Sequence, residues 1–281
     1  MPHPVADVFA HAAERVAGDA CRTGNVIAWE RDEQVLYTGD IHGNRDNLSK
    51  ILKFANLSQN PRRRLVLQEL IHGEPADPTG GDRSFELLMR VARLKNSHPG
   101  QIFFLMGNHD VAQVTGNEIM KDGRCLCKSF EIGLEQAFGP AVAEVRDSLY
   151  AFLRALPLAA RCANGMLMSH SLPSPHALPG FDWSILDRPY ADADLRRGGA
   201  VYEWTWGRGH KPEHFTQVTE RLGARQLLLA HQHSRGGFDL VQENALVITS
   251  DDSHGTILLF DAGQEYPDAQ LAELVKPIVA L

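Results

Sequence analysis

Five short polar clusters in the chain combine the side chains that most often bind divalent cations. Each follows an apolar run typical of a β-strand, and the clusters occupy residues 39–43, 68–73, 107–110, 169–170 and 230–233. Carboxylate, amide and imidazole groups that meet at the ends of neighbouring strands can hold two cations close together. Two such cations activate water for attack on a phosphate. The pattern therefore predicts a dinuclear metal site with hydrolytic chemistry.

The first cluster places Asp40 and His42 two residues apart. A chain that leaves a strand can direct both side chains at one cation, and the flanking Gly39 and Gly43 allow the backbone to pass close to it. A tight turn with a surface histidine is the alternative interpretation of this cluster alone.

The next two clusters supply oxygen ligands and a candidate acid. Glu69 has the two carboxylate oxygens that bridging two metals requires, and Asn108 offers a neutral amide oxygen. His109 is placed to protonate a leaving alkoxide as general acid. We expect Asp110 to hold one ring nitrogen of His109 and to keep the imidazole charged.

The last two clusters contribute imidazoles. His170 and His231 would complete the second metal, and His233 would either reach the first metal or face solvent. Each of these residues, taken singly, is more typical of a hydrogen-bonded histidine at a strand end. Their recurrence in order, each after an apolar strand, favours the metal site.

Hydrophobic periodicity predicts strands and helices in alternation along much of the chain. We predict one domain over residues 1–281, with Ser84 as the N-cap of a helix, a Gly- and Pro-rich loop at 73–82, and a long functional loop from Leu172 to Gly199. The two final strands are interpreted as a closing pair. The predicted strands are residues 35–37, 65–67, 102–106, 166–168, 227–229, 246–249 and 256–260, and the other predicted helices are residues 8–16, 46–54, 130–138 and 142–156.

Bulk composition limits the function classes. The chain has 281 residues, of which 43% are hydrophobic and 22% charged, and a formal net charge of -7. The negative charge argues against nucleic-acid binding through bulk positive charge. We expect no signal peptide, and no apolar run is long enough to span a bilayer. The spacing of the 4 cysteines does not resemble a disulfide framework, so we expect free thiols in the cytoplasm.

Between Gly39 and His233 these motifs resemble the calcineurin-like metallophosphoesterase superfamily, and most closely its phosphoprotein phosphatase branch and bacterial relatives. The signature of that family runs Asp-x-His-Gly, Gly-Asp-x-x-Asp-Arg-Gly, Gly-Asn-His-Asp/Glu, a lone His, and Gly-His-x-His. The resemblance implies an α/β fold with a central two-sheet β-sandwich flanked by helices. It also implies two divalent metal ions, Mn, Fe or Zn, at the carboxyl ends of the strands.

Residue by residue, the resemblance assigns a role to each cluster. It implies that Asp40 and His42 bind the first metal and that Glu69 bridges the two metals. Asn108, His170 and His231 would bind the second metal. His109 would be the acid, paired with Asp110, and Arg208 would contact phosphate.

The second cluster departs from the family pattern. Gln68 stands in place of Gly, Glu69 in place of Asp, and His72 in place of the second Asp. Gly73 follows where the family has an arginine that clamps phosphate, so Arg208 would be the remaining clamp.

These departures leave three functions open. The leading prediction is a metallophosphatase similar to phosphoprotein phosphatases. Its alternatives are a dinucleotide polyphosphate or phosphodiester hydrolase, and a catalytically weakened metal-binding protein. The expected partner is a phosphorylated small molecule or protein, with no nucleic acid, no membrane and an open oligomeric state.

Overall fold

Helices alternate with short strands over most of the chain. The computed structural model describes residues 2–75 and 80–281. The strands are β1 (Arg22–Thr23), β2 (Val26–Trp29), β3 (Gln34–Asp40), β4 (Arg63–Gln68), β5 (Ile102–Leu105), β6 (Met120–Lys121), β7 (Arg124–Cys125), β8 (Ala159–Cys162), β9 (Met166–Ser169), β10 (Gln226–Leu229), β11 (Phe238–Gln242), β12 (Ala245–Ile248), β13 (Thr256–Asp261) and β14 (Val275–Pro277). The α-helices are α1 (Pro4–Ala17), α2 (Arg45–Ala55), α3 (Phe85–Ser97), α4 (Asn108–Thr115), α5 (Leu126–Phe138), α6 (Val142–Arg154), α7 (Asp192–Leu195), α8 (Ala200–Trp206) and α9 (Pro212–Leu222).

Two mixed sheets form the centre of the fold. The larger sheet has the strand order β1-β2-β8-β9-β10-β12-β11, and the smaller has the order β14-β13-β3-β4-β5. Strands β3, β4 and β5 are mutually parallel, as are β9, β10 and β12. The carboxyl ends of parallel strands lie at one edge of a sheet, so the polar clusters that follow these strands come together there.

Strand β3 shows how the two layers are built. Val35 and Tyr37 pack between the sheets with residues of the larger sheet, whereas Leu36 packs on the other face against the helices. This alternation follows from the two-residue period of a strand. The Tyr37 hydroxyl lies 3.0 Å from the carbonyl of Ser169 and 3.1 Å from that of Leu228, so it links the smaller sheet to the larger.

The two-sheet α/β architecture predicted from the sequence is confirmed. The predicted strands all form, with ends shifted by at most three residues. Helices α2 and α6 match two of the predicted segments to within two residues, whereas α1 and α5 each begin four residues earlier than predicted, at Pro4 and Leu126. Asn44 caps α2 by accepting the N–H of Asn47 at 2.9 Å.

Two local predictions are wrong, and a third is confirmed only in part. Ser84 is the N-cap residue of α3 as predicted, but its hydroxyl donates to Asp82 Oδ2 and makes no side-chain capping bond. The last two predicted strands do not pair with each other, since β12 lies in the larger sheet and β13 in the smaller. The Leu172–Gly199 segment is not one loop, because it contains short helices at Leu178–Gly180, Trp183–Leu186 and Asp192–Leu195.

The predicted loop at 73–82 lies partly outside the described residues. Within residues 2–75 and 80–281, no helix has both the length and the apolar composition needed to cross a bilayer.

Candidate metal centre

Four residues that follow the strands adopt a strained backbone. His42, Glu69, His72 and His231 have φ values of 40°, 42°, 64° and 67°. Non-glycine residues rarely occupy this left-handed region, and where they do the strain tends to lie at functional sites. Among the described residues only Asn56 and Asp122 share this feature outside the clusters.

Glu69 lies at the middle of the site, and one of its oxygens faces His42. His42 Nδ1 is 3.1 Å from the carbonyl oxygen of Ile71, which only accepts, so a neutral His42 carries its proton on Nδ1. His42 Nε2 therefore presents a lone pair, and it lies 3.3 Å from Glu69 Oε2. Two electron-rich atoms that face each other in this way are suited to share a cation.

The other oxygen of Glu69 faces a second group of donors. His170 Nε2 lies 3.5 Å from Glu69 Oε1, 2.9 Å from Asn108 Oδ1 and 3.0 Å from His231 Nδ1. His170, Asn108 and His231 are all buried. Imidazole, amide and carboxylate ligands of this kind suit Mn, Fe and Zn.

Gln68 sets the orientation of His170. The Gln68 amide donates from Nε2 to the carbonyl of Thr38 at 2.7 Å, which turns its Oε1 to within 3.3 Å of His170 Nδ1. His170 Nδ1 also lies 3.3 Å from Asp40 Oδ1. With acceptors on its Nδ1 side, a neutral His170 directs the lone pair of Nε2 into the centre.

The residues fit divalent metals. His231 Nε2 is buried and has no hydrogen-bond partner in the described chain. Buried polar atoms are otherwise nearly always paired. Two groups place one ligand atom from each member within 4.8 Å of one another: Asp40, Glu69 and His170 form one, and His42, Glu69 and His109 form the other.

The two buried carboxylates of the site have pKa values shifted in opposite directions. Burial alone would raise the pKa of Asp40, but His170, His42 and His231 hold it at about 2. Burial and then the Asp40 and Asp110 carboxylates raise the pKa of Glu69 well above its ordinary value. A buried carboxylate needs a positive partner, and divalent ions would let both groups ionise together.

His109 is held by His72 and not by Asp110, so the predicted pairing of His109 with Asp110 is wrong. His109 Nδ1 lies 2.9 Å from His72 Nδ1, while Asp110 Oδ2 accepts the backbone N–H of Gly107 at 2.9 Å. Asp110 therefore caps the start of α4. Burial raises the pKa of Asp110 to about 7 and lowers that of His72 to about 4.

Two predicted residues lie at the rim. Arg208 is exposed, and its Nη2 atom lies 3.4 Å from His231 Nδ1, at the open side of the centre. His233 is exposed and groups with Asp251 and Asp252, apart from both groups that contain Glu69. The structure thus brings together every predicted metal ligand except His233.

A sequence profile described as calcineurin-like phosphoesterase matches residues 34–235, which is well over half of the chain. The chain belongs to this family. It is accordingly a metal-binding hydrolase of phosphoric ester bonds. Comparison with curated proteins gives no match.

Solved structures show that the phosphoesterase fold extends over nearly the whole chain. A protein serine/threonine phosphatase from Saccharomyces cerevisiae, with similarity to human phosphatase PP5, superposes with a TM-score of 0.66 at 18% identity, covering 94% of this chain and 86% of the other. A cold-active protein-tyrosine phosphatase from a psychrophilic Shewanella species gives 0.59 at 13% identity, covering 89% and 82%. At these identities the similarity establishes a common fold.

Close packing of the backbone at position 73 explains why this chain has glycine where the phosphoesterase pattern has arginine. A Cβ atom at Gly73 would lie 3.0 Å from the Cα of Gly43 and 3.1 Å from the carbonyl of His42. The chain after the second cluster therefore packs against the chain after the first, and an arginine side chain at position 73 would push the two apart.

The sequence indicates no role for three residues around the centre. Gln68 and His72 differ from the family pattern without a predicted role, and Gln113 lies outside the five clusters. A buried polar residue one helical turn after a candidate acid is the signal that would have pointed to Gln113, since positions four apart share a helix face.

Proposed function

We propose that this chain is a metal-dependent phosphatase that hydrolyses phosphate monoesters in the manner of phosphoprotein phosphatases. The observation that carries the proposal is that each carboxylate oxygen of Glu69 faces an imidazole nitrogen, His42 Nε2 on one side and His170 Nε2 on the other. Glu69 would bridge two divalent ions. Asp40 and His42 would hold the first ion, and Asn108, His170 and His231 the second.

Bound divalent ions supply a water activated for attack on phosphorus and neutralise charge on the phosphate oxygens. His109, beside Asn108, is the group that would donate a proton to the leaving oxygen. Arg208 would bind the non-bridging oxygens, and its exposed position lets it meet a phosphate that arrives from solvent. His233 is proposed as a ligand only if it turns from Asp251 and Asp252 toward the centre.

A second candidate is a phosphodiester or dinucleotide polyphosphate hydrolase. Gly73 favours it, because the close contact with Gly43 removes the place where a second phosphate-clamping arginine would stand. A single arginine binds a monoester dianion less tightly than two arginines would. A larger substrate that also contacts the protein through groups other than the phosphate would lose less affinity.

A substrate panel on metal-loaded enzyme separates the candidates. The panel contains an aryl phosphate, a phosphoserine peptide, a phosphotyrosine peptide, bis-p-nitrophenyl phosphate and a dinucleoside tetraphosphate, each assayed with Mn, Fe or Zn after chelation. We expect turnover of the monoesters to exceed that of the diesters. The reverse order would favour the second candidate, and two bound metals with no turnover would indicate a metal-binding protein.

Arg208 and Arg196 offer a matched pair for the same assay. Both arginines are exposed, but only Arg208 lies at the centre. We expect Arg208→Ala to raise KM for a monoester at least tenfold and Arg196→Ala to leave it unchanged. Equal effects of the two substitutions would remove Arg208 from the proposed phosphate site.

We also propose that residues 1–281 form one domain that acts in the cytoplasm on a phosphorylated protein or small molecule. The pairing of β13 with β3 supports the first point, because it joins the C-terminal segment to the strand that carries Asp40. The four free cysteines support the second.

A further inference from the structure

The hydrogen bond between His109 and His72 joins the Nδ1 atom of one ring to the Nδ1 atom of the other. Which of the two atoms is the donor therefore fixes the tautomers of both rings. The Nδ1 atoms of the two imidazoles lie 2.9 Å apart. One Nδ1 must carry the proton and the other must present a lone pair. The choice decides which nitrogen of His109 is left for chemistry.

Gln113 decides the state of His72. The Gln113 Oε1 atom lies 2.8 Å from His72 Nε2. An amide oxygen only accepts, so His72 Nε2 carries a proton. His72 is only 4% exposed, which favours the neutral ring. A neutral ring with its proton on Nε2 presents the lone pair of Nδ1 to His109.

Glu131 in turn fixes the amide of Gln113. The Gln113 Nε2 atom donates to Glu131 Oε1 at 2.8 Å and lies 2.8 Å from the hydroxyl of Tyr150. The Tyr150 hydroxyl itself donates to Glu131 Oε1 at 2.5 Å. A carboxylate offers no donor, so the amide nitrogen of Gln113 must face Glu131 and the amide oxygen must face His72.

We propose that Glu131, acting through Gln113 and His72, holds His109 in the tautomer with its proton on Nδ1. His109 Nε2 is then the nitrogen available to exchange a proton with the leaving oxygen. Glu131, Gln113 and His72 are positioning residues. The inference deepens the proposed function and depends on His109 serving as the acid.

The decisive variant is Glu131→Gln, which keeps the shape and adds a donor. An amide at position 131 can donate to Gln113 Oε1, so Gln113 is free to turn over and the direction of every following hydrogen bond is released. The double variant Glu131→Gln with Gln113→Glu returns an acceptor-only group beside His72 Nε2, and the new amide at 131 can donate to it. Glu135→Gln, exposed on the same helix α5, is the matched control.

The first measurement is the tautomer of His109 in the full-length, zinc-loaded protein, read from long-range ¹H–¹⁵N correlation spectra. We expect the Nδ1–H form in wild type, in Glu135→Gln and in the double variant, and a mixture of tautomers in Glu131→Gln. The same His109 tautomer in Glu131→Gln as in wild type would overturn the proposal.

The second measurement is kcat and KM on phenyl, p-nitrophenyl and 2,4-dinitrophenyl phosphate. A poor leaving group depends most on protonation by a correctly positioned acid. We therefore expect Glu131→Gln to lower kcat about tenfold or more on phenyl phosphate but only slightly on the dinitrophenyl ester. KM should be unchanged. The double variant should recover most of the loss. Equal losses on all three esters, without recovery, would assign the network a purely structural role.

The two measurements also separate this inference from the proposed function. If wild type turns over no phosphate ester while Glu131→Gln still shifts the His109 tautomer, the proposed function is wrong and the positioning chain stands. If wild type is active and the tautomer does not respond, the proposed function stands and the positioning chain is wrong.

Discussion

The Oε1 atom of Glu69 accepts a hydrogen bond from the backbone N–H of His109 at 2.7 Å. The same oxygen lies 3.5 Å from His170 Nε2. The carboxylate at the end of strand β4 is therefore fixed by the backbone at the start of helix α4, one strand further along the sheet. This contact aligns the proposed bridging ligand and the proposed acid with each other.

Gly107 makes that contact possible, and Gly107→Ala is expected to break it. A Cβ atom at position 107 would overlap Cγ and Oε1 of Glu69, so the carboxylate must move. We expect a loss of metal affinity of about 10- to 100-fold, the usual cost of disturbing groups that orient a metal ligand. The measurement is metal titration by isothermal calorimetry, together with kcat.

Gly100→Ala is the control for that substitution. A Cβ atom at Gly100 meets no other atom within 4 Å, and Gly100 lies before strand β5, at the opposite end from Gly107. Metal affinity should stay as in wild type. A Gly107→Ala protein that binds metal as wild type does would show that Glu69 needs no defined position.

His109→Asn tests the acid. Loss of the imidazole should lower kcat by about 10²- to 10⁴-fold on an alkyl phosphate, because the leaving oxygen then departs without a positioned proton donor. Metal content, measured by atomic emission, should remain at two ions per chain, since His42, Glu69 and the second group of ligands are untouched. Loss of a metal along with activity would instead make His109 a ligand, as its proximity to His42 and Glu69 allows.

The grouping of the proposed metal ligands is predictable from the sequence because each follows its own strand at short range. A residue such as Asp40 or Asn108 is positioned by the strand before it and by the parallel neighbours of that strand. The partner of His109 was not predictable in this way. Asp110 is adjacent in sequence, yet helix geometry turns it back to Gly107, and His72 arrives from a different strand end.

The roles of Gln68 and Gln113 depend on the direction of hydrogen bonds across several elements. Nothing in local periodicity predicts that Gln68 orients His170 from 102 residues away. The dependence on contacts between distant elements also explains why the pairing of the two final predicted strands was wrong. Their apolar pattern predicts strands, but only tertiary packing assigns β12 to the larger sheet and β13 to the smaller.

Lys95 offers a stability test far from the centre. Its ammonium group is fully buried and contacts Asp19 Oδ1 at 2.6 Å and the carbonyls of Pro99 and Ile102 at 2.7 and 2.9 Å. Lys95→Met leaves the carboxylate of Asp19 without its partner, and we expect a loss of about 3–5 kcal/mol in the free energy of unfolding. Urea denaturation of metal-loaded protein measures it.

A double substitution and a surface control complete this test. Adding Asp19→Asn to Lys95→Met should recover part of the loss, because the uncompensated charge is removed. Lys53→Met, at an exposed position, should change stability by no more than about 0.5 kcal/mol. A Lys95→Met protein as stable as the Lys53→Met protein would show that the buried pair contributes nothing.

Asp82 gives the protein a pH-dependent stability. The side chain is 1% exposed and accepts hydrogen bonds from the backbone N–H and the hydroxyl of Ser84 at 2.7 and 2.8 Å. Burial raises the pKa of Asp82 from 3.8 to about 6, despite these hydrogen bonds. Between pH 4 and 6 the folded protein keeps the proton that the unfolded chain has lost. The free energy of unfolding therefore falls as the pH rises through this range.

Asp82→Asn removes this titration while keeping the shape of the side chain. The free energy of unfolding of the variant, minus that of wild type, should rise between pH 4 and pH 6 by up to ~3 kcal/mol. Urea denaturation at closely spaced pH values, with chelator present in every sample, measures the difference. Asp147→Asn, exposed on helix α6, controls for the loss of a carboxylate as such. A difference curve for Asp82→Asn that stays flat from pH 4 to 6 would mean that Asp82 ionises in the folded protein as readily as in the unfolded chain.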